Sequence, residues 1–319
     1  MLESNFVIIR VDGGIVSQLY FFAMGKLFEK KGYKVKYDIT WFEEEGLGFY
    51  SINKGYDKTY NINWDVPKIF PNISIEIASR SEINQYKKFR VDSELVLEYK
   101  PPLYVVGYNS KCDIVEICRE IREFFNPLEL LSDNKIKFLA NEIKRNRSCG
   151  VHVRRGDLSQ EHVVYGKPTS VDYFLKCINI VRSMYSDVKF YFFSDDNKWV
   201  KDNIAPHIEN LDYFICDINT PEKGYMDLYF LSLCKIIIGS HGSMGLGAKL
   251  LSQEETLFIT PKYNEMLFSM SNIMMINFEP KNTVTFNPKI KKIKYKILIK
   301  IYYYIRQILL RKFLIKGSD

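Results

Sequence analysis

Apolar runs that alternate with helix-like segments organise the second half of the chain. From Ser148 onward, short runs of continuous apolar residues have the composition of buried strands, and the segments between them show helical periodicity. The predicted strands cover residues 149–153, 188–194, 213–218 and 235–240, and a last predicted strand covers 256–261. The predicted helices cover residues 171–185, a short segment around Trp199, and residues 226–234 and 248–253. Such alternation predicts a parallel sheet that is covered by helices on both faces.

The first half opens with the same kind of unit and then becomes less regular. The pattern predicts a strand at 6–11, a helix from Val16 to Lys31, strands at 33–39 and 101–108, and helical segments up to Arg147. Residues 41–100 are interpreted as short strands and loops. A chain of 319 residues is larger than most single cores. We therefore predict two α/β domains, residues 1–135 and 136–280, followed by a separate segment at 281–319.

Composition indicates a globular protein with reduced thiols. Hydrophobic residues make up 46% of the chain, which is ample material for packed cores. The six cysteines are scattered without a Cys-x-x-Cys pair, and several lie in apolar runs, so we expect buried thiols rather than metal or redox sites. The first residues lack the basic start and apolar stretch of an export signal, which predicts a cytoplasmic location.

The positive charge of the chain is concentrated near its C-terminus. The net charge is +7, and residues 289–316 carry ten Lys or Arg and no acid, which favours a local anionic partner over a nucleic-acid groove. Apolar residues at 290, 293, 297, 301, 305 and 308 predict one helical face. No apolar run in this segment approaches the roughly 20 residues that span a bilayer. We predict a basic amphipathic helix on an anionic membrane surface; the alternative is a core helix docked on the N-terminal domain.

Polar clusters lie at the ends of three of the predicted strands. They are His152-Val153-Arg154-Arg155-Gly156-Asp157, Ser194-Asp195-Asp196 and Ser240-His241-Gly242-Ser243. Ligands of parallel sheets bind at the carboxyl ends of the strands, so these clusters form the candidate site.

Each cluster has a functional and a structural interpretation. Arg154 and Arg155 present donor forks that suit a diphosphate, although one of them could simply pair with Asp157. Asp195 and Asp196 could accept hydrogen bonds from a ribose or a guanine, or could cap the following helix.

The third cluster lies where a predicted strand meets a helix. Ser240 and Ser243 could bind phosphate there together with backbone N–H groups, although a plain packing turn has the same composition. Gly242 and Gly247 have the spacing of a P-loop, but Ala248 stands where a P-loop has Lys, so we reject an NTPase. The sequence contains no Asp-x-Asp or His-Glu-x-x-His, which predicts a site without a metal and without a cofactor beyond the donor substrate.

In this order, the three clusters resemble the motifs of glycosyltransferase family 11, the bacterial and animal α-1,2-fucosyltransferases. The resemblance runs from about Gly150 to Lys262, and the segment from Gly13 to Gln18 is similar to the family's glycine-rich loop, with Ser17 in place of an Asn. The third motif departs from the family. Where the family usually has a Ser-Ser-Phe-Ser-Trp-Trp type sequence, this chain keeps two hydroxyls but has Met244-Gly245 in place of the aromatic pair.

The resemblance implies a GT-B architecture, in which two Rossmann-like domains face each other across a cleft. The first domain would bind the acceptor and the second GDP-fucose, and fucose would pass with inversion to the 2-hydroxyl of a galactoside. Arg154 would be catalytic through the β-phosphate. The resemblance does not identify the base; Asp12, beside the glycine-rich loop, is the candidate, and Glu43, Glu44, Glu45 and Glu161 are weaker alternatives. The donor-binding residues would be His152, Arg154, Arg155, Asp157, Asp195, Asp196, Ser240, Ser243, Gly13, Gly14 and Gln18. His152 is expected to support its loop rather than to transfer protons.

Together with the basic segment, the resemblance suggests an acceptor carried on a lipid, as in the assembly of O-antigen or capsule repeat units. The protein would then be peripheral at the inner face of the cell membrane. Two alternatives remain: a transferase that uses another GDP-hexose, which the altered third motif favours, and a non-catalytic membrane-associated nucleotide- or sugar-binding protein.

Overall fold

The computed structural model describes residues 5–47, 61–107, 114–156, 168–218, 220–261 and 270–276. Within these ranges the strands form two sheets, and every pairing between neighbouring strands is parallel. The strands are β1 Phe6–Arg10, β2 Lys34–Asp38, β3 Arg90–Asp92, β4 Leu103–Val106, β5 Arg147–Val153, β6 Val188–Ser194, β7 Tyr213–Cys216, β8 Ile236–Ile238, β9 Leu257–Pro261 and β10 Ile273–Ile276. The predicted α/β class with parallel sheets is therefore confirmed.

Helices connect most of these strands. The α-helices are α1 Ile15–Lys30, α2 Thr40–Glu44, α3 Val66–Ile69, α4 Arg80–Tyr86, α5 Val115–Ile121, α6 Glu129–Ser132, α7 Asn134–Arg145, α8 Val171–Met184, α9 Asn197–Asn203, α10 Gly224–Leu233 and α11 Met244–Leu251. Short 3-10 helices cover Lys87–Phe89, Ser93–Glu98, Arg122–Phe124, Ala205–His207 and Pro221–Lys223. Among the described helices, none combines the length and the apolar character needed to cross a membrane.

The order of the strands brings the predicted clusters together. The first sheet has the order β2-β1-β4-β3 and the second has the order β10-β9-β8-β5-β6-β7. In the second sheet Val151 of β5 pairs with Phe192 of β6 on one side and with Ile238 of β8 on the other. Since β8, β5 and β6 are neighbours and parallel, the three polar clusters leave the sheet at the same edge.

The two sheets share one continuous apolar core. Val7 and Ile9 of the first sheet belong to the same cluster of buried residues as Tyr191 and Phe193 of the second. Helices α1 and α11 are in close contact, since a Cβ atom on Gly247 would lie 2.8 Å from Cγ2 of Val16. The predicted domain boundary between residues 135 and 136 falls in the first turn of α7 and stays a prediction, as does the GT-B arrangement.

Two sequence predictions about the elements are wrong. Between residues 61 and 100 the structure forms mainly short helices, with Arg90–Asp92 as the strand, instead of several short strands. One cause is a capping box, in which Ser79 and Glu82 bond each other's backbone N–H and start α4. The strand at 257–261 is also not the last, because β10 pairs with it in parallel.

The structure supports the expected state of the thiols. Five cysteines are free and buried, namely Cys118, Cys149, Cys177, Cys216 and Cys234. The described residues do not include Cys112, Asp157, Glu161 or the basic segment 289–316. The predictions made for them stay predictions.

Candidate functional site

Ser240 joins the first polar cluster to the third. Its Oγ accepts a hydrogen bond from the backbone N–H of Arg154 at 3.2 Å and lies 3.1 Å from Nδ1 of His152. Ser240 follows β8 and Arg154 follows β5, so this contact ties the ends of two neighbouring strands. The predicted convergence of these two clusters is confirmed.

His152 is a buried and neutral member of this junction. Burial, with a smaller contribution from the positive charge of Arg154, lowers the pKa of His152 to about 3. The imidazole therefore carries no charge at physiological pH, and its Nδ1 is used by Ser240. This is the geometry of a supporting residue rather than of an acid or base.

Asp195 shapes the loop that follows β5. One carboxylate oxygen accepts the backbone N–H of Arg155 at 2.7 Å, and the other accepts that of Gly156 at 3.0 Å. Hydrogen bonds to an ionised carboxylate are stronger than those between neutral groups. Asp195 thus bonds directly to the backbone of the loop that carries Arg155. The sequence did not predict this role.

Asp196 caps a helix. Its Oδ1 accepts the backbone N–H of Trp199 at 2.9 Å, and its own backbone N–H donates to Ser194 Oγ at 3.0 Å. The capping interpretation of the second cluster is therefore confirmed for Asp196.

Arg155 is held by two residues that the sequence reasoning missed. Its Nη1 donates to the backbone oxygen of Thr169 at 3.2 Å, and its guanidinium carbon lies 4.0 Å from the centre of the Trp199 ring. Stacking on an aromatic face suits the planar guanidinium. The sequence offers no spacing signal for this contact, because the partners come from three separate elements.

The side chain of Arg154 lies against the turn between β8 and α11. A Cβ atom on Gly242 would lie 2.9 Å from Nη1 of Arg154, and Gly242 has a φ of +124° that favours glycine. The first internal bond of α11 runs from Gly247 N–H to the Ser243 oxygen, so the earlier N–H groups have no acceptor within the helix. The guanidinium and the helix start are together suited to an anion.

The glycine loop after β1 is organised by Gln18. This side chain is fully buried, and its Nε2 donates to the oxygens of Gly13 at 3.1 Å and Asn63 at 2.8 Å. Its Oε1 accepts the backbone N–H of Asp65 at 2.8 Å. Gln18 therefore shapes the loop. The space beside Gly14 is open, because no atom lies within 4 Å of the position that a Cβ would take there.

Asp12 lies at the start of the same loop and is partly buried. Burial raises the pKa of its carboxyl; the nearby charge of Arg10 opposes this shift and that of Glu45 adds to it. A raised pKa makes the carboxylate a better proton acceptor near neutral pH. Its loop leads into α1, and α1 contacts α11 through Val16 and Gly247.

Within the part of the chain that the structure describes, no group of three or more His, Cys, Asp or Glu side chains is placed to hold a metal ion. Arg154 and Arg155 provide positively charged side chains after the end of β5. The independence from metal stays a prediction.

The family model described as glycosyl transferase family 11 matches residues 81–278, more than half of the chain. The chain belongs to glycosyltransferase family 11. The matched range includes all three polar clusters and confirms the resemblance seen in their motifs. Among curated proteins, an α-1,2-colitosyltransferase of Escherichia coli is 24% identical over 278 residues, which cover 81% of this chain and 91% of the relative.

Solved structures of two proteins, NodZ and POFUT1, match this chain at low sequence identity. The NodZ α-1,6-fucosyltransferase soaked with GDP-fucose is 16% identical, with a TM-score of 0.43 over 78% of this family 11 chain and 93% of that one. NodZ from Bradyrhizobium is 15% identical, with a TM-score of 0.45 over 79% and 94%. POFUT1 in complex with GDP-fucose is 11% identical, with a TM-score of 0.44 over 82% and 99%.

Proposed function

We propose that this protein is an inverting, metal-independent glycosyltransferase that moves fucose from GDP-fucose to the 2-hydroxyl of a galactoside. The observation that carries the proposal is the junction of β5 and β8. There the backbone of Arg154 is bonded to Ser240, and its guanidinium lies against Gly242 beside the start of α11. Fixed positive charge at this point suits a diphosphate, and family membership supports glycosyl transfer.

The reaction requires charge stabilisation on one side and a proton acceptor on the other. The bond between C1 of the sugar and the β-phosphate oxygen breaks, and GDP leaves with the electron pair. Arg154 stabilises the charge that develops on the phosphate. The acceptor hydroxyl forms the new bond at C1 and gives its proton to Asp12, whose pKa is raised by burial.

We further propose that the acceptor is a lipid-linked oligosaccharide of a surface polysaccharide. The support is the basic segment at 289–316, whose ten cations would each be attracted to anionic lipid by about 1 kcal/mol near the surface. In this proposal the protein works at the inner face of the cell membrane. The segment keeps it close to a substrate that is itself confined to the bilayer.

A second candidate donor is GDP-colitose. The curated relative is named as an α-1,2-colitosyltransferase, and Met244-Gly245 at the start of α11 replaces the family's aromatic pair. Colitose lacks the 3-hydroxyl of fucose, so in this proposal the altered motif distinguishes the two sugars. This candidate keeps the same diphosphate site and the same transfer chemistry.

The test is release of GDP from GDP-fucose, GDP-colitose and GDP-mannose in the presence of simple galactosides. We expect turnover with one of the first two, and a loss of about 100-fold or more in kcat for Arg154→Ala. The matched control is Arg147→Ala, at the opposite end of β5, where the side chain pairs with Asp187 on the surface. Normal kinetics in Arg154→Ala would refute the site, and GDP binding without turnover on any donor would favour the non-catalytic alternative.

A further inference from the structure

Two hydrogen bonds hold the turn between β8 and α11 in place. Ser240 accepts the backbone N–H of Arg154 at 3.2 Å, and the backbone N–H of His241 donates to Oγ1 of Thr169 at 2.8 Å. Ser240 and Thr169 are each only 1% exposed, so both anchors are buried. The next residue, Gly242, is therefore held in a fixed place beside Arg154.

The contact between Gly242 and Arg154 runs along the end of the arginine side chain. A Cβ atom on Gly242 would lie 2.9 Å from Nη1, 3.3 Å from Cδ and 3.9 Å from Cζ of Arg154. These atoms belong to the guanidinium and to the last methylene before it. Glycine is thus needed for its space as well as for the φ of +124°.

We infer that Gly242 is a positioning residue that sets the pose of Arg154 for the diphosphate. This inference rests on the proposed function, in which Arg154 binds that group. An arginine that rotates freely loses conformational entropy when it binds, whereas one that already lies on a fixed turn loses less. The turn after β8 thereby pre-orients the side chain of Arg154, which follows the neighbouring strand β5.

The first experiment compares two glycine substitutions in the full chain. Gly242→Ala should weaken the binding of GDP by about tenfold or more, measured by calorimetry, because it displaces a charge-assisted contact. Gly32→Ala is the matched control, since Gly32 also has a positive φ, of +85°, but no atom lies within 4 Å of its Cβ position. GDP affinity equal to that of the unchanged protein in Gly242→Ala would overturn the inference.

A double substitution tests whether the effect passes through Arg154. In the Arg154→Ala background, Gly242→Ala should cause no further loss of GDP affinity. An equal loss in both backgrounds would mean that Gly242 acts through another contact, and the inference would be wrong. If Arg154→Ala alone leaves GDP binding unchanged, the proposed function fails at its own site, which is a different result.

Thermal unfolding covers the case in which Gly242→Ala is too unstable for calorimetry. Removing the arginine side chain removes the steric conflict, so the double variant should unfold at a higher temperature than Gly242→Ala alone. Gly32→Ala should gain nothing from the same second substitution. Equal unfolding temperatures for Gly242→Ala with and without Arg154 would overturn the inference as well.

Discussion

Lowering the pH from about 7.5 to about 5 is expected to destabilise the fold through His152. Burial, followed by the charge of Arg154, lowers the pKa of this imidazole from 6.5 to about 3. The unfolded chain takes up a proton below pH 6.5, whereas the folded chain keeps His152 neutral down to about pH 3. Between pH 6.5 and about pH 3, proton uptake therefore favours the unfolded chain. The stability that neutral His152 contributes is complete above pH 6.5 and falls as the pH is lowered.

The size of the effect follows from the width of the window. Each pH unit between the two pKa values lowers the free energy of unfolding by about 1.4 kcal/mol. At pH 5 the contribution of His152 is a loss of about 2 kcal/mol. This is a sizeable part of the roughly 5–15 kcal/mol that stabilises a typical domain.

The assay is urea unfolding at both pH values for the unchanged protein and for His152→Asn. The asparagine amide reaches the place of Nδ1 and can keep the hydrogen bond to Ser240, but it does not titrate. We expect it to lose most of the pH dependence. His207→Gln, at an exposed position, is the control and should keep it.

A smaller dependence should persist in every variant, because burial also lowers the pKa of His241. Full pH dependence in His152→Asn would refute the assignment of a buried neutral imidazole at the end of β5.

Three further predictions address the loop after β5, the glycine loop and the basic segment. Asp195→Asn keeps one acceptor for the loop N–H groups and loses the charge, so we expect GDP binding to weaken by about 1.5–3 kcal/mol in calorimetry; unchanged affinity would contradict this role. Gln18→Ala leaves buried backbone groups without partners, and urea unfolding should show a loss of about 3 kcal/mol. Deletion of residues 289–319 should abolish binding to vesicles that contain phosphatidylserine, whereas binding to neutral vesicles serves as the baseline; unchanged binding would reject the membrane proposal.

The position of the site could be predicted because it depends on local patterns. The strand at 188–194 is found with its predicted bounds, and the ends of β5 and β8 lie within a few residues of the predictions. In a parallel sheet, the place where a strand ends fixes the edge at which its next residues lie. The clusters around Arg154 and Ser240 could therefore be assigned to one edge before their contacts were known.

The contacts inside the site could not be predicted, because they join residues that are distant in sequence. Gln18 bonds the backbone of Asn63 and Asp65, and Arg155 stacks on Trp199. Hydrophobic periodicity and composition describe single helices or strands. They carry no information about contacts between residues that are distant in sequence. The helix α4, in contrast, could have been found from the Ser79-x-x-Glu82 capping signal within a stretch interpreted as strands and loops.

The departure from the family's third motif has a packing explanation. A Cβ atom on Gly245 would lie 2.9 Å from Cε2 of Phe258 and 3.1 Å from Cα of Gly239, so the ring of Phe258 fills the space that a larger residue would need. Phe258 is fully buried, and a tryptophan at 245 would require it to move. The loss of the aromatic pair is thus matched by a close approach of Gly239 and Gly245. The glycine at 245 is therefore explained by the close packing of the start of α11 against Phe258 and Gly239.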